Sequence, residues 1–225
     1  IELTLNGSIV KTRDFGFDVS TNFSYNKNKV IYVNVTAPAY YLQMDYPQSY
    51  PVVGNPYAAI YAYKWAGLSA DGLPQVYGAD GKPTTQDPSS LAAVKYVGST
   101  EPTTLASVNL DFHYRQLEFS CLWVYKGGYK MRNTDLSMLS DSYNGAMGSY
   151  MTNIVPVNKN IVNRWQKSGD EATTNVPRAV FGENPLFSDA SYTIYSYSDI
   201  NVINASNLRL ANVSLSYVLP RQWIL

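Results

Sequence analysis

Residues 107–126 read SVNLDFHYRQLEFSCLWVYK, and their side chains alternate with a period of two on either side of a two-residue break. Val108, Leu110, Phe112 and Tyr114 occupy one parity, with Ser107, Asn109, Asp111 and His113 on the other. After Arg115 and Gln116, the apolar set resumes with Leu117, Phe119, Cys121, Trp123 and Tyr125, opposed by Glu118, Ser120 and Lys126. Successive side chains of a strand point to opposite faces, so this pattern is a hairpin. Any helical face drawn through these residues mixes polar and apolar groups, and the helical alternative fails.

The alternation recurs elsewhere. Ile1, Leu3 and Leu5 alternate with Glu2, Thr4 and Asn6; Phe15, Phe17, Val19, Phe23 and Tyr25 follow a turn at 11–14. Near the end, Leu208 and Leu210 lead into Val213, Leu215, Tyr217 and Leu219, and the change of parity at Ala211 and Asn212 predicts a β-bulge. Five strands are predicted, at 1–10, 15–26, 107–114, 117–126 and 207–219.

The connections are unequal in a patterned way. Those at 11–14 and 115–116 are very short, and those at 27–106 and 127–206 are long. Along strands that run alternately up and down, both short links fall on one side and both long ones on the other. Outer-membrane barrels have this arrangement, with short periplasmic turns and long extracellular loops. A strand of about ten residues at roughly 3.3 Å each, tilted about 40°, stands near 25 Å tall, the height of the outer-membrane apolar band. Tyr25, Trp123 and Tyr125 lie toward the long connections, and Phe15, Tyr114 and Tyr217 lie toward the short turns. Rings at both ends of an apolar face are placed as girdles, with lipid outside. A soluble β-sandwich, its aromatic rows facing a second sheet and serving a carbohydrate-binding or adhesive role, is the alternative that periodicity leaves open.

Composition narrows the function. The 225-residue chain has formal net charge zero, which argues against a nucleic-acid partner. Its 20 tyrosines outnumber its 17 lysines and arginines, so the surface is aromatic rather than basic. No run approaches the roughly 18 apolar residues of a membrane-spanning helix, which says nothing against a barrel. One cysteine, Cys121, and one histidine, His113, leave no disulfide framework and no usual metal or haem spacing; no cofactor is expected. Ser107, Asp111 and His113 share a face, but same-face neighbours on a strand stand roughly 6.6 Å apart and cannot converge as a triad. No pair of carboxylates is marked out for glycoside hydrolysis, and no enzyme activity is expected. Asn-x-Ser/Thr triplets such as Asn34-Val35-Thr36 would suggest glycosylation in a eukaryotic secreted protein, but Asn22 and Asn212, which head two of them, fall inside predicted strands.

Within the first long connection, Asp71-Gly72 and Asp80-Gly81 bracket a short run from Leu73 to Tyr77, a turn-punctuated hairpin pattern. These aspartates lack the one-three-five spacing of a calcium loop. Tyr57, Tyr61, Tyr63 and Trp65 form an aromatic row that either stacks on a solute or packs the loop.

Seven segments in order resemble the late barrel strands of SusC/RagA-type TonB-dependent outer-membrane transporters. They are IELTLNG at 1–7, FGFDVSTNFSYNKNKV at 15–30, IYAYKWAGLSADGLPQVYGADGKP at 60–83, YVGSTEP at 96–102, CLWVYKGGYKMRN at 121–133, RWQKSGDEATTNVPR at 164–178 and NLRLANVSLSYVLP at 207–220. Asn207 stands where the family often has an aromatic residue, and Ala211 where a basic residue is common. The resemblance implies an all-β chain, residues 1–225 being a partial segment of an antiparallel barrel of about 22 strands with a plugged lumen. On this reading the plug domain, N-terminal extension, TonB-contacting segment and closing strands lie outside the sequence, which looks like an excised or truncated piece. It further implies TonB-driven import of oligosaccharides or peptides beneath a SusD-like surface lipoprotein acting as a lid. Substrate contact is expected at Tyr61, Tyr63 and Trp65, and lid contact at Arg164 and Trp165.

Overall fold

The computed structural model describes residues 1–133, 159–178 and 194–220. In chain order the strands are β1 (Glu2–Lys11), β2 (Phe15–Tyr25), β3 (Ala59–Tyr63), β4 (Trp65–Leu68), β5 (Pro74–Tyr77), β6 (Pro83–Thr84), β7 (Val94–Ser99), β8 (Thr104–Tyr114), β9 (Leu117–Gly127), β10 (Lys130–Arg132), β11 (Val202–Asn204) and β12 (Asn207–Tyr217). One short helix, α1, covers Tyr40–Asp45. The chain divides into a sheet unit (Ile1–Asn28, Thr100–Lys130, Asn204–Leu225) and a loop unit (Lys29–Ser99, Met131–Ile203).

The sheet unit is an antiparallel sheet in the order β1-β2-β8-β9-β12, and its members coincide with the five predicted strands to within about three residues at each end. Register places every apolar parity on one face. Val19 opposes Leu110, which opposes Cys121, which opposes Val213; Phe17 opposes Phe112, which opposes Phe119, which opposes Leu215. Phe17 and Phe112 stack with centroids 4.3 Å apart, and Phe119 follows at 6.1 Å from Phe112. Two bulges preserve this phase. The predicted one lies between Leu210 and Asn212, so that Leu210 opposes Trp123 and Val213 opposes Cys121 without either leaving the apolar face. A second, which the sequence pattern does not reveal, lies between Ser8 and Val10 and brings Val10 opposite Phe17.

The predicted segregation of connections holds within this unit. Phe15, Tyr114, Leu117 and Tyr217 are successive register partners at the short-turn end, where Lys11 opposes Gly16, whereas Glu2, Tyr25, Thr104, Gly127 and Asn207 mark the opposite end. Thr12 closes the first turn by donating its amide and hydroxyl to the Phe15 carbonyl, both at 2.8 Å. At the second, Arg115 adopts a left-handed φ of 54°, as two-residue hairpins require, and its guanidinium lies 5.4 Å over the Tyr114 ring. A sandwich would cover the apolar face with a second sheet. Instead Leu5, Val213 and Leu215 are 58%, 52% and 68% exposed.

The loop unit has a core of its own. β3 pairs with β7 and is buried along its whole length, packed with Met44 of α1, Val76, Ala93 and Ile194. β4, β5 and β6 form a meander whose two turns sit at the predicted Asp-Gly pairs, with Gly72 at φ +74° and Gly81 at φ +75°. No helix among the described residues is long and apolar enough to cross a membrane.

Candidate functional site

The face of the sheet opposite the apolar one carries a ladder of hydrogen-bonding groups, interrupted on β9 by Leu122 and Val124, which oppose Asn109 and Ser107. Ser8 Oγ donates to Asp18 at 2.5 Å, Thr4 Oγ1 to Asn22 at 2.9 Å, and Asn109 Nδ2 to Asp111 at 2.5 Å. Asp18 and Asp111 are direct cross-strand partners, and His113 opposes Glu118. Near the short turns, Asp111, His113, Glu118, Ser120, Ser214 and Ser216 help line an open concavity of about 470 Å³. Ser107, Asp111 and His113 do lie along one strand, as their spacing requires, and face different partners, namely Asn22, Asp18 and Gly16 on β2. The surface is suited to exchanging hydrogen bonds with a passing polar solute.

The loop unit gathers the aromatic residues singled out by sequence. Tyr61 and Tyr63 are 4% and 0% exposed, because β3 is covered on both faces. Their rings pack the loop core and present no face to a solute in this conformation. The Tyr61 hydroxyl accepts from Asn55 Nδ2 at 3.1 Å, and the Tyr63 hydroxyl donates to Asp87 Oδ1 at 2.9 Å. The other carboxylate oxygen of Asp87 accepts from Tyr40 at 2.5 Å. Burial, reinforced by the bond to Asp87, pushes the Tyr63 phenol well above its ordinary range; burial alone pushes Tyr195 up to about 12.

Trp65 keeps part of its surface exposed. Its amide donates to Asp199 Oδ1 at 2.9 Å, its indole N–H donates to Asn175 Oδ1 at 3.1 Å, and Tyr195 meets its ring edge-on with centroids 5.6 Å apart. Trp165 and Arg164 are likewise partly buried. The Trp165 indole N–H donates to Glu171 Oε2 at 3.0 Å, its amide to the Val176 carbonyl at 2.9 Å, and the Arg178 amide reaches the Gly72 carbonyl at 3.1 Å. A Cβ at Gly72 would stand 2.4 Å from the nearest Trp165 ring atom, a clash. The two long connections are thus clasped, with 163–178 seated on the turn between β4 and β5. Glu171 is held below the ordinary carboxylate range, first by its own amide and then by Trp165.

Sequence reasoning missed the groups that hold these rings. Arg132 donates to the carbonyls of Tyr61 at 2.7 Å and Ser196 at 3.2 Å while lying 4.7 Å over the Tyr197 ring; the Tyr197 hydroxyl in turn donates to Asp45. Asp87, Asp199 and Asn175 lie 24, 134 and 110 positions from the residues they bind, so no local spacing marks them.

No protein-family profile and no curated protein sequence matches the chain. Among solved structures, a chain of the RagAB peptide transporter superposes with a TM-score of 0.67 at 22% identity, over 98% of this chain. A chain of the RagAB peptide importer in the open-open state gives 0.64 at 21% identity, over 100%. This chain spans 23% and 22% of the length of those two. The likeness establishes the fold as a section of the antiparallel β-architecture of those transporter chains.

Proposed function

We propose that the chain supplies wall strands and outer loops to a SusC/RagA-type, TonB-dependent importer in the outer membrane. The observation that carries this reading is the single apolar face of the sheet, exposed and kept in phase through two bulges, with both long connections leaving from one end. That face meets lipid, and the polar face looks into the lumen. The edges β1 and β12 pair with neighbouring wall strands, since an open edge in hydrocarbon would leave its amides and carbonyls unsatisfied. The cargo is a peptide or an oligosaccharide, and the fold likeness to a peptide transporter favours the peptide. A SusD-like lipoprotein covers the outer mouth, and TonB acts through another part of the polypeptide. Import of this kind requires no covalent step and no cofactor.

Within the loop unit, Trp65 contacts solute, with Tyr61 and Tyr63 fixing the strand that leads into it; Arg164 and Trp165 shape the segment that meets the lid. Uptake assays and co-purification of the lid protein test both assignments. Trp65→Ala weakens uptake more than lid association, and Trp165→Ala does the reverse. If both variants assemble and neither readout moves, the two tryptophans serve loop packing alone.

A further inference from the structure

Residues 30–36, VIYVNVT, form the most strand-prone run in the loop unit, yet they belong to no sheet. Val30 is held at one end: its amide donates to Asn55 O and its carbonyl accepts from Gly54, both at 2.9 Å. At the other end Ala37 is buried at 3% exposure, and Pro38 prevents further ladder bonding. Between these anchors Ile31 and Tyr32 are 85% and 78% exposed, and Val35 is exposed as well. Among the described residues, none of 31–36 is bonded through its backbone to another segment.

Resting on the transporter reading above, we infer that residues 31–36 capture an extended peptide by strand addition. Three observations select that occupant. The unused groups are backbone amides and carbonyls on a strand-forming sequence, and their natural complement is another extended backbone. In a strand, neighbouring residues aim these groups to opposite sides; with Val30 committed to the Gly54–Asn55 segment, Ile31 and Val33 would offer theirs outward. Finally, no charged side chain occurs from Val30 to Met44, while the exposed Lys29 stands at the head of the run with no ion pair among the described residues. This fits an uncharged peptide stretch whose carboxylate reaches Lys29.

The test uses the full-length transporter in detergent and a fluorescently labelled octapeptide of alternating valine and threonine with a free C-terminal carboxylate. The octapeptide binds, and N-methylation of alternate peptide bonds, which removes backbone donors without touching the protein, weakens it at least about tenfold. Val33→Pro weakens it similarly, whereas Ile31→Thr, which retains strand propensity, changes affinity less than about twofold. Equal binding of the N-methylated peptide, or wild-type affinity in Val33→Pro, overturns the inference and leaves the transporter reading standing. Loss of lid co-purification in Val33→Pro with peptide affinity intact assigns the run to a protein partner and also overturns it. A wild-type protein that is not in the outer membrane refutes the transporter reading itself.

Discussion

At Gly72, a backbone requirement and a packing requirement coincide. Its φ of +74° disfavours any side chain, and the Trp165 indole occupies the space that a Cβ would need. Gly72→Ala should therefore cost about 1–3 kcal/mol, expressed locally as release of the clasp. Hydrogen exchange at the Trp165 and Arg178 amides is the measurement: both should accelerate while the amides of β8 and β9 remain protected. The buried phenols supply a second residue-scale expectation. Tyr63 and Tyr195 have pKa values raised above the ordinary value, so the stability they contribute is fully present below that value and is lost as pH rises through the folded one. In an alkaline titration their phenolate absorbance should appear late, Tyr195 near 12, and Tyr195→Phe should remove only late amplitude.

At the scale of elements, the long strands were legible because large apolar residues recur every second position over most of their length, which leaves no competing period. The bulge at Ala211 was legible for the same reason, since the parity visibly changes. Its counterpart near Ile9 was not, because Gly7 and Ser8 interrupt the apolar series just before the extra residue. β3 was illegible in a different way. Tyr61 and Tyr63 read as a row on one face, but with both faces of the strand buried, alternation carries no information about what is presented. The two faces of the sheet should respond differently to charge. Leu110→Arg or Phe119→Arg should cost about 2–4 kcal/mol in the full-length protein reconstituted in lipid, while Asn109→Arg on the polar face costs little. Equal tolerance in denaturant unfolding from vesicles would remove the lipid assignment.

For the whole molecule, the decisive property is sidedness. If both long connections are extracellular, cysteines placed at Ser69 and Ser168 react with a membrane-impermeant reagent on intact cells, and one at Arg115 does not. Labelling confined to Arg115 would invert the topology. The Cys121→Ser background removes the native thiol, which lies on the sheet's apolar face, from the readout.

The bulges at Ile9 and Ala211 make each outer strand of the sheet behave like a text with a deliberate extra letter. Ala211 is that extra letter: without it Leu210 and Asn212 would follow one another opposite Trp123 and Leu122 in unbroken pairing, and Leu208, Leu210, Val213 and Leu215 would stay on the apolar face with Arg209 on the other. Substituting Ala211 by valine, which keeps both the count and the bulge, should likewise be mild. The bulged position is thus where these strands can lose a residue and keep their faces, whereas a one-residue deletion in the middle of β8, whose pairing to β2 and β9 is unbroken, should turn one half of that strand to the wrong face and abolish assembly.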